Sequence, residues 1–327
     1  MGQFYIRLNM EKKRRNYKFW NFDFKKGINY YKTYSDRSWT SEVGGSLRVT
    51  TYNVKNFEKV HTLDAKTALE QKSKLEIRYD LIASELRFIN GDLVALQEVS
   101  AKIEKLLSFS EKYMSIFELH ASSYHGCALL WDYTKWKFIK KFSLSDYEDF
   151  CLFSILESVK NPSTRILFGS VYFESQTKLT SCSFLKNFVN SFSGQVQNVV
   201  LAGNFQLSPE SYNYLQGKVD HLTVHLPLEI VDLVPVKQSE SKYASREHQV
   251  FVEETRDHDR LQLKSAYFCL PSNLQFTCFE NPKQQIQDYI WYYGDLEVSR
   301  VLKPPFVESS SAFPSSHISL TAEFNIV

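Results

Sequence analysis

Cysteine is scarce in this chain, with five among 327 residues. The number is odd, the spacing of Cys127, Cys151, Cys182, Cys269 and Cys278 is wide, and no CxxC occurs. That excludes a disulfide scaffold and points to a reducing compartment. Cys127, Cys269 and Cys278 have apolar or aromatic neighbours and are expected to be buried thiols. Long apolar runs are also missing, none reaching the length of a membrane span, so no membrane partner is expected. The N-terminus has no signal-peptide core. It begins Met1-Gly2, but Ile6 stands where myristoylation wants Ser or Thr, and Glu11 interrupts the basic stretch a mitochondrial presequence would need. An intracellular, cytoplasmic location is expected, with nuclear or mitochondrial placement open. Net charge is nearly absent too: 39 basic residues against 37 acidic leave +2, so no global field advertises a polyanionic partner.

Apolar and aromatic residues are plentiful. At 43% hydrophobic and 15% aromatic, the chain can bury a large core. What basic charge there is clusters early, in Lys12, Lys13, Arg14 and Arg15 and again in Lys25 and Lys26. A solvated terminal segment accounts for it; a phosphate-backbone contact or a nuclear import signal would too. Residues 1–45 form a basic, aromatic N-terminal extension that ends in the polar "SDRSWTSEVGG", which reads as a linker. Residues 46–327 form the main domain. There "LRVTTYNV", "DLVALQEV", "CALLW", "RILFGSVYF", "VVLAGNF", "DYIWYY" and "ISLTAEF" have strand character. After Asp64, read as an N-cap, a helix is expected from the stripe Leu75, Tyr79, Ile82, Leu86 and Ile89. A second is expected from Leu185, Phe188, Val189 and Phe192, and a third opens at Ser208-Pro209-Glu210. The polar stretch at 236–260 reads as a surface loop. Several neighbouring strands lack a helix between them, which suits two mixed sheets packed face to face with helices outside.

Four segments end or follow strands in a set order: "YNV" at 52–54, "LQEV" at 96–99, "LAGNFQ" at 201–206 and "FPSSHISL" at 313–320. Their order and spacing resemble the endonuclease/exonuclease/phosphatase superfamily. "HGCALLW", the run "DRLQLKSAY" ahead of "FTCFENPKQQIQDYIWYY", and "SDRSW" ahead of the first strand resemble its deadenylase branch, and within that the Angel proteins. The resemblance implies a four-layer α/β/β/α sandwich and Mg²⁺-dependent phosphodiester chemistry. Such chemistry needs an oxygen-ligated cation, a group to orient the attacking water and a clamp for the phosphorane oxygens.

Residue by residue, the resemblance assigns Asn53 to the first family Asn, Glu98 to the metal-binding Glu, Asp288 to an aspartate of the substrate cleft and His317 to the terminal His. Elsewhere the pattern is broken. Tyr172 stands for the family's mid-chain His, Asn204 for the catalytic Asp, Gln206 for the following Asn, Ser316 for the Asp before the terminal His, and His125 for an acidic cleft residue. An amide at 204 cannot act as a base. Ser316 cannot fix the tautomer of His317 or stabilise its cation as Asp would. Each lost acid–base group costs about 10²–10⁴-fold in rate. Glu98 remains as a vestigial, weak metal ligand. Structural roles fit as well: Asn53 as a turn cap, Glu98 as an ion-pair member, His317 as a satisfied buried histidine. His221 and His225 lack helical patterning and form no metal site, Asp220 and His221 have no compelling route into the cleft, and "RDHDR" around His258 reads as a solvated loop. The expectation is a catalytically inactive, Angel-like pseudonuclease that binds rather than cuts. Its partners would be proteins of an RNA-associated complex, with RNA possible, and no cofactor. The alternative is an active Mg²⁺-dependent RNA 3′-exonuclease or RNA-end phosphatase.

Overall fold

A computed structural model describes residues 37–55, 79–100, 110–120, 125–146, 149–173, 179–207, 209–217, 262–268, 277–278, 285–305 and 315–327. The basic runs at 12–15 and 25–26, Asp64, Leu75, Ser208, Asp220, His221, His225, the 236–260 stretch, His258 and Cys269 lie outside these residues.

Strands supply most of the architecture. In chain order they are β1 (Leu47–Asn53), β2 (Leu93–Val99), β3 (Tyr113–Leu119), β4 (Gly126–Asp132), β5 (Trp136–Asp146), β6 (Asp149–Ser158), β7 (Arg165–Tyr172), β8 (Asn198–Asn204), β9 (Lys264–Ser265), β10 (Asp288–Tyr293), β11 (Leu296–Val301) and β12 (Leu320–Ile326). The described helices are α1 (79–89), α2 (Leu179–Asn190) and α3 (Pro209–Leu215). The strands form two mixed sheets of six, ordered β11-β12-β1-β2-β4-β3 and β5-β6-β7-β8-β10-β9. The central strands β1, β2, β7 and β8 are buried nearly throughout, because each is covered on both faces. Those runs are the ones whose apolar texture is legible in the sequence. The edge strand β3 alternates weakly and is half exposed, and the edge strand β5 carries Lys137, Lys140 and Lys141, so both were hidden.

Period-2 alternation sorts the side chains into layers. Leu47, Val49, Leu93, Ala95 and Leu129 of the first sheet pack between the sheets on Phe168, Val200, Ala202 and Ile290 of the second. The opposite faces take the helices. Ile82, Ala83 and Leu86 of α1 lie on Tyr52, Val94 and Leu96. Leu185, Phe188 and Val189 of α2 lie on Phe153, Leu167 and Leu201. The result is the expected four-layer α/β/β/α sandwich. Phe192 falls just beyond α2 yet still joins its apolar stripe, and α3 begins at Pro209 as its sequence requires.

The linker reading of "SDRSWTSEVGG" needs correction for its described part. Arg37 is buried, donating to Ser319 Oγ at 2.8 Å, Ser319 O at 2.9 Å and Lys303 O at 2.9 Å, and facing Glu85. Trp39 is flanked by the guanidinium groups of Arg48 and Arg300, at 5.2 and 4.3 Å from its ring, and both arginines bind Glu323. A guanidinium fork can satisfy several partners at once, and those partners come from distant parts of the chain, so composition alone reads the segment as loose.

Candidate functional site

The apolar filling between the sheets gives way to polar groups toward one end. Thr51 Oγ1 donates to Gln97 Oε1 at 3.1 Å, and Gln97 Nε2 donates to Ser170 Oγ at 2.9 Å. Ser170 Oγ in turn donates to Leu96 O at 2.9 Å. All three side chains are fully buried, and the amide ties the two sheets together with each of its atoms paired. Immediately beyond this bridge the site begins.

Glu98 follows Gln97 at a bulge. Gln97 pairs with Cys127 and Val99 with Gly126, which leaves Glu98 as the extra residue of β2. Its φ is +51°, a left-handed value that a non-glycine residue adopts only when its surroundings impose it. Asn53 Nδ2 donates to Glu98 Oε1 at 3.0 Å, while Asn53 Oδ1 accepts from the Lys55 N–H at 2.9 Å. Asn53 therefore caps its turn and holds the carboxylate.

The second sheet contributes a row. Tyr172 and Asn204 are register partners on β7 and β8, and Asn204 and Asp288 on β8 and β10. Gly203 permits this strand spacing: a Cβ there would meet Val171 O at 1.9 Å. Gln206 turns the chain out of the row with φ +44°. The asparagine expected here tolerates that conformation better than glutamine does. His125, at the start of β4, stands edge-on to Tyr172 with ring centroids 5.1 Å apart.

His317 closes the site. Ser315 Oγ donates to Asn53 O at 2.6 Å and accepts from the His317 N–H at 3.2 Å, which docks the turn before β12 onto the end of β1. The imidazole Nδ1 lies 2.8 Å from Asp288 Oδ2, both groups being almost fully buried. The orienting carboxylate comes from another strand, 29 positions away in sequence. Nε2 lies 3.5 Å from Cys278 Sγ. Burial alone would push the histidine down, but the charge and hydrogen bond of Asp288, with Cys278 adding to them, push it up to about 10. The ring is thus a cation at neutral pH, with both nitrogens facing protein groups.

All nine residues singled out in the sequence gather at this end of the sandwich. Cys278 and Gln97 were missed as members of it. Gln97 stood inside the "LQEV" motif. Cys278 gave no spacing signal, because it reaches His317 only through an isolated backbone bridge.

The resemblance implies Mg²⁺, and the donor set tests it. Glu98 is the carboxylate left for a metal, with one oxygen taken by Asn53. Asn53 Oδ1 is occupied by Lys55, and Asp288 is engaged by His317. Among the described residues, no three His, Cys, Asp or Glu side chains gather as metal ligands. A hard cation asks for several oxygens, so these residues do not fit a resident Mg²⁺ held in the absence of substrate.

No protein-family model matches the chain, and no curated protein matches it. Solved structures do. The human nocturnin catalytic domain with bound sulfate is 18% identical with a TM-score of 0.61, covering 90% of this chain and 99% of its own. ANGEL2, a 2′,3′-cyclic phosphatase, in complex with adenosine-2′,3′-vanadate, is 18% identical with a TM-score of 0.60, covering 88% and 98%. A mannosyl-6-phosphatase from Bacteroides thetaiotaomicron is 15% identical with a TM-score of 0.58, covering 85% and 99%. The fold is that of the endonuclease/exonuclease/phosphatase proteins, with nocturnin and ANGEL2 among its structural neighbours.

Proposed function

We propose that this chain, built on the endonuclease/exonuclease/phosphatase fold, is a pseudonuclease that binds rather than cuts, serving as a scaffold or binding subunit of an RNA-associated complex. The observation that carries the reading is how the groups needed for catalysis at the site are replaced or engaged. Asn204 is an amide where a water-activating carboxylate is needed. Asp288 is held by His317, and His317 by Asp288 and Cys278. A histidine that stays protonated to about pH 10 takes no proton from water at neutral pH. Tyr172 packs against His125 instead of presenting a cation to a phosphate. The intracellular location and the protein or RNA partners belong to this proposal and follow from the same reading.

One observation favours a second reading, an active RNA 3′-exonuclease or RNA-end phosphatase. The Asn53–Glu98 and Asp288–His317 pairs are intact, and the left-handed backbone at Glu98 and Gln206 is strain of the kind functional sites retain. Under it, Mg²⁺ would enter with the substrate phosphate and not as a resident ion.

The experiment is cleavage by purified, folded protein of 5′-labelled RNA with a poly(A) tail, and of RNA ending in a 2′,3′-cyclic phosphate. Both are run with Mg²⁺ and Mn²⁺ beside Glu98→Ala. No turnover above the variant is expected. Metal-dependent turnover that vanishes in Glu98→Ala would replace the proposal with the second reading.

A further inference from the structure

The four described cysteines are all buried and free, yet their surroundings differ. Burial pushes Cys127 and Cys182 up to about 12 and Cys151 well above the ordinary thiol value. Each sits in the sandwich interior against apolar side chains. Cys278 instead ends a chain of three polar groups: Asp288 Oδ2 lies 2.8 Å from His317 Nδ1, and His317 Nε2 lies 3.5 Å from Cys278 Sγ. Carboxylate, imidazole and thiol in that order set a positively charged ring beside the sulfur, the kind of surroundings that favour a reactive cysteine. Backbone bonds fix it. Thr277 Oγ1 accepts from the N–H groups of Gln287 and Asp288 at 2.8 and 2.9 Å, and Cys278 bridges both Gln285 and His317.

A second observation lies beside the relay. Asp288 Oδ1 and Asn204 Oδ1, on directly facing residues of β10 and β8, are buried acceptors with no hydrogen-bond partner among the described residues. Buried acceptors are costly to leave unpaired, so two together mark a place that suits a small hydroxylic molecule.

We propose that Cys278 is a redox modification site, taking a small hydroperoxide as its oxidant. The sulfur attacks the distal peroxide oxygen, so an S–O bond forms as the O–O bond breaks. The thiol proton goes to the leaving hydroxide. The products are a cysteine sulfenic acid and water, with His317 unchanged. Sulfur is oxidised by two electrons and the peroxide reduced by two. Cys278 is only 2% exposed, so the proposal requires a small oxidant such as hydrogen peroxide and predicts that bulky ones are turned away. The proposal is independent of whether the neighbouring site hydrolyses anything.

The test treats the full chain with hydrogen peroxide, traps sulfenic acid with dimedone, and quantifies each cysteine peptide by mass spectrometry. Cys278 is expected to label about tenfold or more faster than Cys127, Cys151 and Cys182, as activated thiols do relative to apolar buried ones. Cumene hydroperoxide should label it far more slowly than hydrogen peroxide. In His317→Gln, provided the variant still melts cooperatively, the Cys278 rate should drop while the other three stay unchanged. Equal labelling of Cys278 and the three interior thiols in the wild-type protein overturns the proposal, and so does a folded His317→Gln with an undiminished Cys278 rate. If that variant does not fold, the wild-type ranking and the peroxide-size comparison decide.

Discussion

His317 Nδ1 and Asp288 Oδ2 stand 2.8 Å apart with 2% and 1% of their side chains exposed. The pair joins the two sheets at the polar end of the sandwich, since His317 is docked on β1 and Asp288 opens β10. Nearly every expectation about the site depends on it.

Asp288→Asn keeps the shape and leaves the imidazole without its counter-charge. Removing one member of a buried ion pair costs about 3–5 kcal/mol. Urea denaturation should show a loss of that size, and a variant within about 0.5 kcal/mol of the wild type, the range of a surface substitution, would mean the pair contributes no charge interaction.

The pH dependence has a definite sign. His317 is raised from 6.5 to about 10, so its stabilisation is full below about pH 6.5 and is lost as pH rises through 10. Above about 9 the raised thiols Cys127 and Cys182 add to the decline. Between pH 7 and 9 the wild type should therefore lose stability with rising pH, and Asp288→Asn should lose this slope. Thermal melts across that range check it, and a slope shared by both proteins removes His317 as its source.

Asn204→Asp restores the family carboxylate directly opposite Asp288, at a position 1% exposed. Two facing buried carboxylates repel, so the new group should be strongly destabilising at pH 8, by about 2–5 kcal/mol, and should recover as pH falls toward 5 and one of them takes a proton. On the pseudonuclease reading this single change brings no RNA turnover, because Tyr172, Gln206 and Ser316 stay altered. Cleavage appearing in Asn204→Asp would mean that residue 204 alone silences the site.

Gln97→Leu removes the amide that links Thr51, Ser170 and Glu98's own strand. Stranding the hydroxyl of Thr51 should cost about 1–3 kcal/mol, while Ser170 keeps its bond to Leu96 O. Isosteric Gln97→Glu serves as a contrast: it keeps the volume but buries a charge. Chemical denaturation measures both, and a neutral Gln97→Leu would mean the interlayer network adds nothing to stability.

Gly203→Ala places a methyl 1.9 Å from Val171 O, backbone against backbone. The parallel β7–β8 pair must separate, so the variant should express poorly or melt well below the wild type. A normal melt would require strands more loosely spaced than they are here.

Much of the frame was legible because it is local. The β-branched and apolar runs of β1, β2, β7 and β8, the stripe of α2 and the Pro209 helix start each record their surroundings within a few residues. The motif positions Asn53, Glu98, Asn204, Asp288 and His317 were legible through their order alone. The edge strands β3 and β5 were not, since solvent on one side and lysines on the edge erase the apolar signature. Arg37 looked like part of a loose linker because its partners, Ser319, Lys303 and Glu85, are 48 to 282 positions away.

The chain by itself determined its layers, since alternation and amphipathic stripes oblige two sheets to hide one face against each other and the other under helices. It also determined which side chains the site lacks, because an amide at 204 is an amide in any fold. Only the tertiary structure decided who partners whom. His317 meets a carboxylate because β8–β10 pairing carries Asp288 to it, and a bridge at Cys278 brings a thiol to the other nitrogen. Such partnerships depend on distances set by sheet register and packing, which no local stretch of sequence encodes.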